Sequence, residues 1–395
     1  MSTTAKAHGM NGTLVEADWP PLALDEVRNV LGAFPACGEP IEILSVSPRP
    51  FSAASVVAVR GGKIFMKRHH HDVRDAEGLR EEHRFMAHLR AHGAPVPRVY
   101  ADASGKTAIV RGEWSYEVHE APAGVDIYED ALSWTPFRSV AHARSAGVAL
   151  ARLHLASQGF DAPMRKPRSL VASFTIYSDD DPGAAMRRYL KARTALRDDA
   201  ETLQACDEAL ELLEPFHAEL KPHLRALAPL WTHNDFHASN LLWSNASDAA
   251  RACAVIDFGL ADRTNAVYDL AQAIERNIIE WLALTRGRED MQNVPVYIEH
   301  LYALLAGYES VRPLTEQEAA ALAPMTALCH AEFALSEAEY FLGVLGSEEK
   351  TRVATTDYLV GHARWFRGAG GRRLLDGLRT WGNERRKRKK RVAQL

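Results

Sequence analysis

The feature of this sequence that most restricts its fold is a change in hydrophobic pattern at residues 122–124. Before that point, apolar residues alternate with polar ones in short segments separated by glycine and proline, which is typical of β-strands. After it they recur at helical spacing, except for a short strand pattern near 253–257. The sequence therefore predicts an α+β chain with a β-rich N-terminal lobe and a mainly helical C-terminal lobe.

The N-terminal lobe is predicted to contain five strands and one inserted helix. The five strand patterns begin at Ile41, Ser55, Lys63, Thr107 and Trp114. Leu79, Phe85, Met86 and Leu89 share one face of a helix over 77–92, and the spacing of apolar residues over 22–31 predicts a short leading helix. We place the lobe boundaries at 1–119 and 120–384, with a hinge near 117–124.

Composition places the chain among soluble globular proteins. Hydrophobic residues make up 47% and charged residues 25% of 395 residues, which disfavours fibrous and disordered classes. No apolar run approaches the 18 residues of a membrane span, and the first residues lack the apolar stretch of a signal peptide, so we expect a cytoplasmic protein without membrane contact. The four scattered cysteines form no C-x-x-C pair and are expected to be buried and reduced.

Seven consecutive basic residues occupy 385–391. Without them the chain has 40 basic and 51 acidic residues, so the body is acidic enough to repel nucleic acid and to tolerate a cationic substrate. We predict that 385–395 is a disordered, solvated tail, with contact to RNA, anionic lipid or an acidic partner as the alternative. The sequence leaves the oligomeric state open.

The densest group of chemistry-bearing residues lies between 231 and 259. Asp235 is followed by Asn240, and an apolar strand then ends in Asp257-Phe-Gly. Phosphoryl transfer needs a carboxylate to orient the attacking hydroxyl and divalent cations to offset the charge on the phosphates. Asp235 is the candidate catalytic residue, and Asn240 and Asp257 are candidate Mg²⁺ ligands because Mg²⁺ prefers hard oxygen donors.

The order of these motifs resembles the aminoglycoside phosphotransferase and choline kinase-like family of small-molecule kinases. The resemblance covers about 41–285 and includes His-x-Asp-x-x-x-x-Asn from His233, Tyr-Asp-Leu-Ala at 268–271, and a helix from Glu82 that exits through Gly-x-Pro-x-Pro. It implies a two-lobed protein-kinase-like fold that uses ATP and Mg²⁺ to phosphorylate a hydroxyl of a small molecule. Lys67 would reach the nucleotide phosphates and Glu82 would hold it, with Glu81 as the rival partner.

One departure from the family concerns the loop that covers the nucleotide. Segment 47–55 has no glycine, so Ser52, Ser55 or backbone amides would have to contact the phosphates. This motivates an alternative in which the chain is a nucleotide-binding regulator or pseudokinase without turnover. A protein kinase is disfavoured, because His237 replaces the usual lysine and too few residues separate Asp257 from Tyr268 for an activation segment.

The acceptor is not fixed by any motif. Homoserine, choline or ethanolamine, sugars and aminoglycosides remain open. Segment 307–314 resembles the corresponding segment of type II homoserine kinases, and this resemblance favours an amino acid or amino alcohol. Glu275 and Arg276, together with segment 331–341, are weaker candidates for the acceptor pocket.

Several other polar residues have mainly structural interpretations. We expect His233 to brace the catalytic loop, and His237 either to brace it or to contact substrate. Asp269 is predicted to cap a helix, with Gln272 three residues later, or to organise the catalytic loop. The three histidines at 69–71 are expected to lie in a solvated loop.

Overall fold

The computed structural model describes residues 17–47, 49–286 and 294–393. The strands are β1 Pro40–Val46, β2 Ala53–Val59, β3 Gly62–His70, β4 Ala108–Arg111, β5 Trp114–Glu120, β6 Pro229–Thr232, β7 Leu241–Trp243, β8 Ala252–Val255 and β9 Asp262–Asn265. The α-helices are α1 Leu24–Leu31, α2 Ala76–Ala91, α3 Val140–Ala156, α4 Pro182–Lys191, α5 Ala200–Leu220, α6 Ala266–Ile278, α7 Ile298–Glu309, α8 Glu316–Leu328, α9 His330–Glu339, α10 Glu348–Arg352, α11 Gly361–Arg367 and α12 Ala369–Ala393. Two π-helical segments, Tyr340–Val344 and Val353–Val360, flank α10.

The N-terminal lobe is one antiparallel sheet in the order β1-β2-β3-β5-β4. Its apolar face, which includes Val57, Met66 and Val118, packs against Val27 and Val30 of α1. Phe85 of α2 instead joins the core of the helical lobe. The predicted α+β fold is therefore confirmed, including the leading helix and the single helix inserted after the third strand.

The register of the sheet decides which side chains share a face. Lys67 of β3 lies opposite Ala54 of β2 and Glu117 of β5, whereas Ser55 lies opposite Met66. Because directly opposed residues project to the same side, Lys67 and Glu117 share one face. Ser55 lies on the other face with Met66, toward the apolar core under α1.

Helices α3 and α7 pack very closely in the helical lobe. A Cβ on Gly147 would lie 2.0 Å from the carbonyl oxygen of Leu304, and one on Gly307 would lie 2.0 Å from that of Arg144. Only glycine permits this approach, which explains the start of segment 307–314 by helix packing.

The structure corrects the expectation of a disordered tail. Helix α12 continues through Ala393, while the last two residues lie outside the described part of the chain. Arg385 is buried and donates to Glu309 at 2.8–2.9 Å, to Glu316 at 3.0 Å and to the carbonyl of Leu314. The run of like charge is tolerated because its first member is neutralised by two carboxylates from α7 and α8.

The histidine run and the cysteines also differ from expectation. His69 and His70 belong to β3, and His69 is buried with its Nε2 atom 2.9 Å from Glu117, so the solvated-loop interpretation is wrong there. All four cysteines are free as expected, but Cys253 is only half-buried. No helix in the described ranges combines the length and the apolar character that crossing a membrane requires.

Candidate active site

The catalytic-loop candidate connects β6 to β7, and the buried side chain of Asp269 holds its backbone. The backbone N–H groups of His233 and Asn234 donate to its two carboxylate oxygens at 3.0 and 2.8 Å. The ring of His233 contacts the carbonyl oxygen of Ile256 at 3.0 Å. His233 therefore braces the loop, and Asp269 organises it.

The predicted cap at Asp269 is wrong. Helix α6 begins one turn earlier, where the side chain of Asn265 accepts from the N–H groups of Val267 and Tyr268. Burial raises the pKa of Asp269, but its hydrogen bond and electrostatic interaction with His154 Nε2 at 2.9 Å outweigh burial and hold the pKa below its ordinary value. The loop thus rests on a buried, ionised carboxylate.

Asp235 lies at the centre of the loop with its carboxylate between an amide and two basic side chains. Asn240 Nδ2 donates to Asp235 Oδ2 at 3.1 Å, and His237 Nε2 is 3.4 Å from the same oxygen. Arg276 Nη2 is 3.4 Å from Oδ1. Burial raises the pKa of Asp235, but His237 and Arg276 together lower it below the usual range, so the group is ionised at neutral pH.

Asp257 follows β8 in a left-handed conformation with φ of 61°, which costs an aspartate about 1 kcal/mol or more. Its Oδ1 atom accepts from Lys67 Nζ at 2.9 Å. Burial raises the pKa of Asp257, but the charge and hydrogen bond of Lys67 lower it far below the ordinary value. The ion pair joins the two lobes.

Asp235, Asn240 and Asp257 line one cavity of about 240 Å³. The amide nitrogen of Asn240 is committed to Asp235, which leaves its carbonyl oxygen as a donor for a cation. One amide oxygen and one ionised carboxylate in a cavity fit a Mg²⁺ that completes its shell with waters and phosphate oxygens. The three residues selected from the sequence are therefore brought together.

The predicted ion pair between Lys67 and Glu82 does not form among the described residues. Glu82 lies 4.0 Å from Arg165 Nη2, and its Oε2 atom has no hydrogen-bond partner in the described chain. Helix α2 is attached to the sheet by the next residue instead, because His83 Nε2 lies 2.7 Å from Glu117. Glu81, the rival for Lys67, faces Arg165 at 3.5 Å.

The two serines proposed for phosphate contact differ in placement. Ser52 is buried at the end of the β1–β2 loop, just before β2. Ser55 is fully buried on the sheet face opposite Lys67, so its hydroxyl is directed away from the cleft. The structure therefore does not support Ser55 as a phosphate ligand.

The rest of the cavity wall comes from segments far apart in the sequence. Arg276 lies between the rings of Trp134 and Phe333, with its guanidinium carbon 4.1 and 4.3 Å from their centroids. Glu337 supports the interpretation of segment 331–341 as part of the pocket. Segment 307–314 does not line the cavity.

Sequence reasoning missed several wall residues, among them Arg49 and Trp134. The glycine-free composition of the loop was the local signal that could have drawn attention to Arg49. Trp134 had no such signal, because a single sequence does not show that position 134 contacts position 276.

The sequence model of the phosphotransferase enzyme family matches residues 49–314. The chain belongs to this family. The predicted resemblance and the prediction that this is a small-molecule kinase are thereby confirmed.

Two curated relatives of this phosphotransferase are named homoserine kinase. The one from Phenylobacterium zucineum is 28% identical over 300 residues, covering 75% of this chain and 79% of the relative. The one from Gluconacetobacter diazotrophicus is 26% identical over 284 residues, covering 69% and 74%.

Two solved structures share the fold of the phosphotransferase. A microcompartment-associated aminopropanol kinase has a TM-score of 0.59 at 17% identity, covering 90% of this chain and 98% of that one. An amicoumacin kinase, solved in complex with AMP-PNP, Ca²⁺ and Ami, has a TM-score of 0.53 at 14% identity, covering 85% of this chain and 94% of that one. At these identities the likeness shows a common fold and nothing finer.

Proposed function

We propose that this phosphotransferase transfers the γ-phosphoryl group of ATP, with Mg²⁺, to a hydroxyl of a small amine-bearing metabolite. The observation that carries the proposal is the convergence of Asp235, Asn240 and Asp257 on one cavity. Lys67, paired with Asp257, adds a cation at the junction of the lobes.

Each of these residues has a distinct chemical role. Asp235 accepts a hydrogen bond from the acceptor hydroxyl and takes its proton as the bond to phosphorus forms. Asn240 holds the Asp235 carboxylate in place through its amide nitrogen. Asn240 and Asp257 would hold Mg²⁺, which neutralises charge on the phosphates when bound.

The cavity wall favours an acceptor with an ammonium group. Glu337 and the ring of Tyr358 line it, and an aromatic face attracts a cation. Burial raises the pKa of Glu337 to about 8, and an ammonium group placed beside it would favour the charged carboxylate. The homoserine kinase relatives and the aminopropanol kinase act, by their names, on amine-bearing hydroxyl compounds. We therefore place homoserine and amino alcohols ahead of sugars and aminoglycosides.

A screen for phosphorylated products tests the proposal. The enzyme is incubated with ATP, Mg²⁺ and a panel of homoserine, 1-amino-2-propanol, ethanolamine, choline, a hexose and an aminoglycoside, and products are identified by mass. We expect a product with at least one amine-bearing compound, and its loss in Asp235→Asn. Asp248→Asn, an exposed aspartate, is the matched control and should retain activity.

The second candidate function is that of a nucleotide-binding regulator without turnover, motivated by the glycine-free loop. It predicts that ATP and Mg²⁺ raise the melting temperature of the protein while no panel member is phosphorylated. That pair of results would replace the first proposal.

A further inference from the structure

The β1–β2 loop, which contains no glycine, extends from the sheet onto the helical lobe. Arg49 Nη1 donates to the carbonyl oxygen of Ala131 at 3.2 Å and to Ser133 Oγ at 3.1 Å. The ring of Phe51, two residues later, packs edge-on against Tyr340 with centroids 5.2 Å apart. These contacts fix the position of Arg49 at the cavity.

Arg49 differs from the other cations of the cavity in having no anionic partner. Within the described residues, three lysine or arginine side chains line the cavity. Lys350 lies 2.5 Å from Asp18, and Arg276 lies 3.4 Å from Asp235. Arg49 is hydrogen-bonded only to neutral oxygens, and no carboxylate of the described chain lies within ion-pair distance of it.

A half-buried guanidinium held by neutral partners keeps its charge available for an incoming anion. Burial lowers the pKa of Arg49, and Asp126, Asp235 and Asp257 oppose that effect, so the group remains protonated at neutral pH. Asp235 and Asp257 line the same cavity as Arg49, so Arg49 shares one space with both the acceptor end and the metal end of the site. The phosphoryl group moves from the metal-bound nucleotide at one end to the acceptor hydroxyl at the other.

We propose that Arg49 contacts the transferring phosphoryl group and stabilises the negative charge on its equatorial oxygens. This inference rests on the proposed function. In the step concerned, the acceptor oxygen forms a bond to the γ-phosphorus and the bond from that phosphorus to the β–γ bridging oxygen breaks. The bridging electron pair leaves with ADP, and the proton of the hydroxyl passes to Asp235.

The same inference accounts for the composition of the loop. A glycine-containing loop offers backbone N–H groups to phosphates, whereas this loop offers a side-chain cation that is anchored to the opposite lobe. Arg49 and Phe51 hold their part of this loop against the helical lobe through Ser133 and Tyr340.

Kinetics of substituted proteins test the proposal. At saturating ATP and acceptor, Arg49→Met should lower kcat about 10²–10³-fold, the usual effect of removing one donor to a developing charge. Arg49→Lys should recover part of the loss. Arg60→Met is the matched control, because Arg60 is an exposed arginine outside the cleft, and it should leave kcat unchanged. Ser133→Ala, which removes one anchor, should give a smaller loss than Arg49→Met.

A binding measurement separates transition-state contact from a structural role. Arg49→Met should weaken binding of MgADP with aluminium fluoride, a mimic of the phosphoryl group in flight, while affinity for MgADP alone and the melting temperature stay near wild type. Unchanged aluminium fluoride affinity would overturn the proposal. So would a loss confined to the KM of carboxylate-bearing acceptors, which would make Arg49 an acceptor contact. If the proposed function itself fails, the wild type forms no product, so the two failures are distinguishable.

Discussion

Lys67 Nζ lies 2.9 Å from Asp257 Oδ1, and this ion pair joins residues 190 positions apart in the two lobes. Both side chains are half-buried, so removing one leaves an uncompensated charge at the candidate metal site.

We expect Lys67→Met to lower kcat/KM at least about 100-fold, since it removes a preorganised cation from the phosphate site. Glu82→Gln should cost less than about tenfold, because Glu82 makes no ion pair with Lys67 in the described chain. Steady-state kinetics with ATP as the varied substrate measure both. Equal losses in the two variants would show that Glu82 positions Lys67 during turnover.

Asp269→Asn should destabilise the protein by about 1–3 kcal/mol, because the buried hydrogen bond to His154 loses its carboxylate acceptor. The substitution also removes an acceptor from the N–H groups of His233 and Asn234, so kcat should fall with stability. Denaturant unfolding measures the stability, and Asp25→Asn, in an exposed pair with Arg28, is the control.

Asp269 should also make the stability of the protein depend on pH. Its pKa is lower in the folded protein than its ordinary value of 3.8, so its contribution to stability is present above pH 3.8 and is lost as the pH falls through the folded pKa. Asp269→Asn should therefore flatten the acid limb of the unfolding curve. An acid limb identical to that of the wild type would contradict this assignment.

Glu275 should affect the pH dependence of stability in the opposite direction to Asp269. Burial raises its pKa to about 7, despite the nearby Arg276 and His330, and His362 lies 2.8 Å away. Between the ordinary value of 4.5 and about 7 the folded state binds more protons than the unfolded state, so stability falls as the pH rises. We measure the free energy of unfolding at pH 5 and at pH 8. The loss of stability between the two pH values should be about 1–3 kcal/mol smaller in Glu275→Gln than in the wild type.

Arg385→Met should destabilise the protein by about 2–4 kcal/mol because Glu309 and Glu316 lose their common partner. Lys387→Ala, on the exposed side of α12, should have no measurable effect. Thermal unfolding of both variants measures the difference. Equal melting temperatures for Arg385→Met and wild type would support a tail that is dispensable for folding.

Local patterns in the sequence were sufficient for the lobes, the five strands of the N-terminal sheet and the catalytic-loop motif, but not for the short strands β6, β7 and β9. Alternation and helical spacing depend on neighbours a few residues away, and the spacing from Asp235 to Asn240 is itself local. The helix start at Asn265 was missed because Asp269 offered an equally good local capping signal.

Tertiary structure alone decided the partners of the charged groups. Burial and distance between segments select Asp257 instead of Glu82 for Lys67, give Asp269 its place under the loop, and order the basic helix around Arg385. They also place Arg49 at the cavity, where no carboxylate of the described residues lies within ion-pair distance of its guanidinium. Such choices depend on Coulomb energy and desolvation across the folded chain, which no local pattern of residues records.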